Sequence, residues 1–174
     1  MDHTHTPRES TGPALTLHPI GTVRTPFTGA SGTPVQPAFG AGVEGRVEIF
    51  EEYVPALADI EGFERLWLVY WLDRASAFRA RVVPYLGQVE HGLFATRAPA
   101  RPNPIGLSVV RLVERRGAVL RVSDLDILDA TPLLDIKPYV PAFDALPHAR
   151  AGWFDSAIYD RTLADSRFLR PDRP

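Results

Sequence analysis

Proline and glycine punctuate this chain so densely that its apolar segments are all short. There are 17 prolines and 13 glycines among 174 residues. Proline locks φ and removes a backbone donor, and both residues weaken helix and strand interiors. What survives between them has β character. RVEIF (46–50) alternates apolar and polar side chains, and RLWLVYWL (65–72) is a continuous aromatic-rich run of the kind that forms a buried strand. Further strands are expected within 15–25 and at 80–86, 92–97, 107–116, 118–128 and 133–140, with a hairpin turn at 115–119. Residues 52–63 suit a short helix ended near Gly62, and residues 153–171 read as holding one more. Many short strands with little helix imply a mainly β fold, an antiparallel barrel or sandwich.

The length allows one full hydrophobic core and is too short for two comfortable domains. The absence of cysteine excludes a disulfide-stapled fold, thiol nucleophiles and thiolate-held metals. No apolar run is long enough to span a membrane, and the first twenty residues lack the plan of a signal peptide, so a cytoplasmic protein is expected. A net charge of −2 offers no global field for a polyanion. Of the 19 basic residues, Lys137 is the single lysine.

Residues 40–45 read GAGVEG, which matches the G-x-G-x-x-G phosphate-binding pattern. That loop needs a strand before it and a helix after it, so that a pyrophosphate sits on the helix N-terminus. Here a Pro-rich loop precedes it and the strand RVEIF follows. It is not a dinucleotide-binding loop.

Chemistry-bearing residues concentrate in two other stretches. In TRAPARPNPIGLS (96–108), three prolines stiffen a segment that carries Arg97, Arg101 and the amide of Asn103. Donors fixed in this way suit a carboxylate, a phosphate or a base edge, and a structural turn is the alternative. In DLDILDATPLLDIKPY (124–139), a strand would project Asp135, Lys137 and Tyr139 from one face and Leu134, Ile136 and Pro138 from the other. An acid, an amine and a phenol on one face can serve acid–base chemistry, and a surface ion pair is the alternative. Asp124 and Asp126 would also share a face. The five histidines show no ligand spacing, so no metal site is expected.

FATRAPARPNPIGLSVVRL (94–112) and LDILDATPLLDIKPYVP (125–141) resemble the TsaA-like family, whose characterised members are the tRNA N6-adenosine methyltransferases called TrmO. IGTVRTPF (20–27) and IEGFERLWLVYWL (60–72) resemble it too, and the likeness runs over about residues 17–153. It implies a single small antiparallel β-barrel with one or two short helices, over residues 15–153. Residues 1–14 would be a disordered tail, and 154–174 an extension packed on the barrel or on a partner. It further implies S-adenosyl-L-methionine (SAM) as cofactor, tRNA as substrate and a homodimer with pockets at or near the interface. The family's cofactor contacts fall on Gln36, Pro37, Ala38 and Phe39, on Arg97 and Leu107, and on the segment with Asp126, Leu128 and Thr131. Asp73 and Arg74 stand where family members carry His- or Lys-type residues, and join that set. Asn103, Asp135, Lys137 and Tyr139 become the catalytic candidates, with Arg101 and Asn103 facing the substrate. The implied reaction methylates N6 of the threonylcarbamoyl-adenosine next to the anticodon. Longer members continue past the barrel, and this chain resembles the short, barrel-only ones. SAM-dependent methylation of another acceptor, and a non-catalytic SAM- or nucleoside-binding barrel, are the competing expectations.

Overall fold

The structure is a computed structural model that describes residues 15–157 and 162–170. The expected tail at 1–14 lies outside the described residues. The strands are β1 (Gly21–Arg24), β2 (Glu44–Ile49), β3 (Arg65–Trp71), β4 (Arg81–Val82), β5 (His91–Gly92), β6 (Ile105–Arg116), β7 (Val119–Ser123) and β8 (Thr131–Pro138). Six of them close in the order β1-β2-β7-β6-β3-β8, every pairing antiparallel, while β4 and β5 form a separate two-stranded ribbon. β8 completes the ring by pairing with β1, with Gly21 opposite Leu133 and Val23 opposite Thr131.

Alternation along the strands fills the lumen. Leu66, Leu68 and Tyr70 point inward from β3, Val47 and Ile49 from β2, and Leu120 and Val122 from β7, all buried with Val23 and Leu133. A bulge in β8 skips Leu134, so that Val69 pairs with Asp135 while Tyr70 pairs with Leu133. The skip lets Leu133 and Ile136 both reach the core, and it leaves Asp135 and Lys137 outside.

Several expected elements differ. Residues 52–63 form two 3-10 turns, Glu51–Leu57 and Ile60–Gly62, because Pro55 interrupts the first and Asp59 adopts a left-handed φ of 64° between them. The strand expected over 118–128 stops at Ser123, where Asp124 turns with φ 68°. Asp124 and Asp126 therefore do not share a strand face. Segments 80–86 and 92–97 keep only the two-residue β4 and β5, followed by a 3-10 turn at Leu93–Ala95. In the C-terminal segment the described residues hold the 3-10 turns Gly152–Ser156 and Ser166–Phe168. Among the described residues the α-helix is one turn at Pro141–Asp144. Phe168 packs with Val82, Leu93, Ala98 and Ala100 into a second apolar cluster.

The GAGVEG segment opens β2, as its context implied. Its glycines answer to packing: a Cβ on Gly40 would stand 2.3 Å from the Leu125 carbonyl oxygen, and one on Gly45 the same distance from that of Arg24. Gly42 turns with φ 77° and donates its N–H to Asp124 at 2.9 Å. Gly45→Ala is expected to destabilise the fold by about 1–3 kcal/mol, since the obstacle is backbone. Thermal unfolding of the variant should show a melting temperature lower by roughly 3–10 °C, and an unchanged value would contradict the close approach.

Candidate functional site

β3, β6 and the segment that follows β7 meet the loops at 30–36 and 96–101 around a cavity of about 420 Å³. That volume lies within the range of small-molecule sites, about 300–1,000 Å³. Residues 162–170 close part of its wall through main-chain bonds. Val35 N donates to Thr162 O at 2.9 Å, Ala164 N to Thr33 O at 2.7 Å, and Ser76 N to Phe168 O at 2.7 Å.

Asp126 lines the cavity and is held by a chain of two hydroxyls. Ser108 donates its hydroxyl to Asp126 Oδ1 at 2.6 Å, and the Tyr70 hydroxyl lies 2.9 Å from Ser108 Oγ. Because the serine proton is committed to the carboxylate, Tyr70 is the donor in the second bond. Tyr70 and Ser108 are buried, and Asp126 opens partly onto the cavity. Desolvation pushes the Asp126 carboxyl up to about 6, against the Ser108 hydrogen bond and the charge of Arg97, which both pull it down. Desolvation and the nearby Asp126 hold the Tyr70 phenol well above its ordinary value, so it stays protonated.

Gly106 makes this arrangement possible. It pairs with Tyr70 across β3 and β6, and a Cβ there would stand 2.1 Å from the tyrosine ring. The ring lies over the glycine and its hydroxyl reaches Ser108.

Most residues expected to hold a cofactor gather here. Gln36, Asp73, Arg74, Arg97, Leu107, Asp126, Leu128 and Thr131 all line the cavity. Arg97 donates to the amide oxygen of Gln36. Arg74 donates to the Asp129 carbonyl at 2.6 Å and to Thr131 Oγ1 at 3.1 Å, which ties β3 to the start of β8. Pro37, Ala38 and Phe39 form a 3-10 turn just behind Gln36 and are not among the lining residues.

The acceptor-side candidates are arranged differently. Arg101 lines the cavity, but its guanidinium donates to the Thr96 and Ala98 carbonyls and lies over Phe94, so it braces its own loop. Asn103 is exposed on that loop. Asp135 and Lys137 pair at 2.8 Å on the outer face of β8. They share a face as expected, and that face lies outside the cavity. Tyr139 packs on Trp67 with ring centroids 5.8 Å apart, and Trp67 lines the cavity, so one side chain separates the two regions. Tyr70, Ser108, Gly106 and Trp67 escaped the sequence reading. The one signal for the first two was polar atoms at inward positions of strands otherwise filled by apolar side chains.

Among the described residues no cluster of His, Cys, Asp or Glu is placed to hold a metal ion, and no helix is long and apolar enough to cross a membrane. Comparison with known proteins agrees with the barrel. The profile of the tRNA-methyltransferase O N-terminal domain matches residues 22–145. A probable S-adenosyl-L-methionine-binding protein of Pyrococcus abyssi is 49% identical over 157 residues, covering 89% of this chain and 85% of that protein. A tRNA (adenine(37)-N6)-methyltransferase of Escherichia coli is 34% identical over 148 residues, covering 79% of this chain and 63% of that one. The crystal structure of TrmO from Pseudomonas aeruginosa superposes with a TM-score of 0.68 at 38% identity, covering 80% of this chain and 62% of that one. The chain thus spans less than two thirds of the last two proteins.

Asp126 gives the fold a signed pH dependence. Its carboxyl titrates higher in the folded chain than at its ordinary value of 3.8, so its stabilising contribution is present below that value and is lost as pH rises through about 6. Asp126→Asn keeps an oxygen for Ser108 and removes the ionisation. Relative to the parent it should gain stability between about pH 4 and about pH 7, by at most about 3 kcal/mol. Urea unfolding across that window measures the difference, and a flat difference would contradict the assignment.

Proposed function

The chain belongs to the tRNA-methyltransferase O family, matched over its N-terminal domain, and on that premise we propose that it moves the methyl group of SAM to N6 of an adenosine in tRNA. The observation that most supports this reading is the cavity itself, a space of about 420 Å³ with the partly buried Asp126 carboxylate in its wall beside apolar side chains such as Leu72 and Leu107. SAM supplies a methyl group on a positively charged sulfonium, and a carboxylate in a low-dielectric wall suits such a cation. Gln36, Asp73, Arg74, Arg97, Leu107, Asp126, Leu128 and Thr131 would hold it, with Pro37, Ala38 and Phe39 backing Gln36.

The acceptor in this reading is the threonylcarbamoyl-adenosine beside the anticodon. Its N6 belongs to a urea-like group and carries a hydrogen that leaves during transfer. Asp135 takes that proton, the Lys137 ammonium stabilises negative charge on the ureido oxygen, and Asn103 with Arg101 positions the base edge. Tyr139 links this face to the cavity through Trp67. The protein works as a homodimer in this reading, in the cytoplasm where its tRNA substrate is found. The dimer surface is the outer face of β3 and β6 at the cavity mouth, where Trp71, Ile105 and Leu107 are 43%, 42% and 53% exposed. A second reading keeps SAM and drops the tRNA, as a methyltransferase with another acceptor or a non-catalytic binder. The Pyrococcus abyssi relative, named only for SAM binding, favours it.

Purified protein incubated with methyl-labelled SAM should label tRNA that carries the threonylcarbamoyl group and leave unmodified tRNA unlabelled. Asp135→Ala and Lys137→Ala should each lower that rate about 100-fold or more. SAM binding without any label on tRNA would move the conclusion to the second reading. Leu107→Arg should convert a dimer to a monomer in light scattering, and a monomeric parent would remove the dimer from the proposal.

A further inference from the structure

We propose that Tyr70 and Ser108 are positioning residues, which hold the Asp126 carboxylate ionised and aimed at the positively charged methionine portion of SAM. The inference rests on the cofactor reading above. It is carried by the hydrogen-bond chain from Tyr70 through Ser108 to Asp126, at 2.9 and 2.6 Å.

A carboxylate in an apolar wall can be kept ionised in two ways. A lysine or arginine salt bridge stabilises it and cancels its charge. Neutral donors stabilise it and leave the charge available to a ligand. This chain uses the second way at Asp126. The bond to Ser108 engages one oxygen and fixes the rotation of the carboxyl, while the side chain still lines the cavity. Tyr70 completes the arrangement, since a serine hydroxyl that accepts a hydrogen bond is a stronger donor. Its phenol stays protonated, so its direction of donation is constant.

The strand register specifies the device. Ser108 faces Leu68 and Gly106 faces Tyr70 across β3 and β6, so the tyrosine ring crosses the space over Gly106. Structural economy alone would fill these buried inward positions with apolar side chains like their neighbours Leu66, Leu68 and Val110. Two buried hydroxyls that serve a single carboxylate mark a functional requirement. The other charged or titratable groups that line the same cavity are Asp73 and Arg74 after β3, Tyr85 after β4, and Arg97 and Arg101 in the loop before β6. Of these, Arg97 acts on Asp126 through its charge, and its guanidinium is bonded to Gln36.

Isothermal titration with SAM from about pH 5 to about pH 8 tests the proposal on the full chain, with folding checked by thermal unfolding. The parent should lose affinity as the pH falls through the range in which Asp126 takes up its proton. Ser108→Ala removes the bond that favours the ionised form, so the midpoint moves to higher pH and affinity at neutral pH falls about 10-fold. Tyr70→Phe retains the ring over Gly106 and should shift the midpoint the same way by less, which keeps the test decisive if Ser108→Ala does not fold. Asp126→Asn should flatten the pH dependence, and Tyr70→Phe should add nothing further in that background. Folded Tyr70→Phe with the parent's affinity and midpoint would overturn the inference, as would an equal effect with and without Asp126. A parent that binds no SAM at any pH would overturn the cofactor reading and this inference with it.

Discussion

Closure of six strands is the constraint from which the rest of the molecule follows. A barrel this narrow has room inside for side chains alone, so its lumen becomes a packed core. Val23, Val47, Leu66, Leu68, Leu120, Val122 and Leu133 are fully buried in it. Any ligand must therefore be held outside the packed lumen, by loops that lean on the barrel. The 30–36 and 96–101 segments and residues 162–170 do this, and the cavity lies where the apolar filling gives way to Tyr70, Ser108 and Asp126. Closure also explains the close-packed glycines. At Gly21, Gly40 and Gly45 a Cβ would stand only 2.3–2.4 Å from a neighbouring carbonyl oxygen.

The barrel was legible in the sequence wherever one strand's own pattern decides its fate. RVEIF and RLWLVYWL are strands because their inward positions are apolar, whatever lies next to them. Segments whose fate depends on partners were less legible. Residues 80–97 have β composition but only a two-residue pairing to support it, so most of that stretch stays in turns. The strand at 118–128 ends early because Asp124 turns left-handed, with its carboxylate accepting from Gly42 and Arg65. A bond between residues 82 positions apart leaves no local mark.

The site divides in the same way. The family likeness singled out Gln36, Arg97 and Asp126, which the fold brings to one cavity. The chain of hydroxyls could not be read from the sequence, because a tyrosine and a serine in apolar strands look like ordinary tolerated substitutions. Only the pairing of Tyr70 with Gly106 turns the tyrosine hydroxyl toward Ser108. The face carrying Asp135 and Lys137 was readable from period two. Its separation from the cavity was not, since it depends on the bulge at Leu134.

Charge is handled in two ways on this barrel. Across β1, β2, β6 and β7, acids and arginines cancel one another. Glu48 pairs with Arg24 and Arg46, while Arg121 pairs with Glu44 and Glu114, and Glu114 also with Arg116. Such a network projects little field beyond a Debye length of about 8 Å, and it suits a surface with no ligand. Around the cavity Asp73 pairs with Arg74 at 3.5 Å, and the other charged groups have neutral partners. Asp126 is held by a serine hydroxyl, Arg97 by the Gln36 amide, and Arg101 by backbone carbonyls. Neutral partners fix direction and leave the charge uncancelled, with the Asp126 carboxylate in the wall and the Arg97 and Arg101 guanidiniums in the adjoining loop. That separation suits a cofactor with a cationic centre and an acceptor with an anionic backbone, and it requires no net positive charge on the chain.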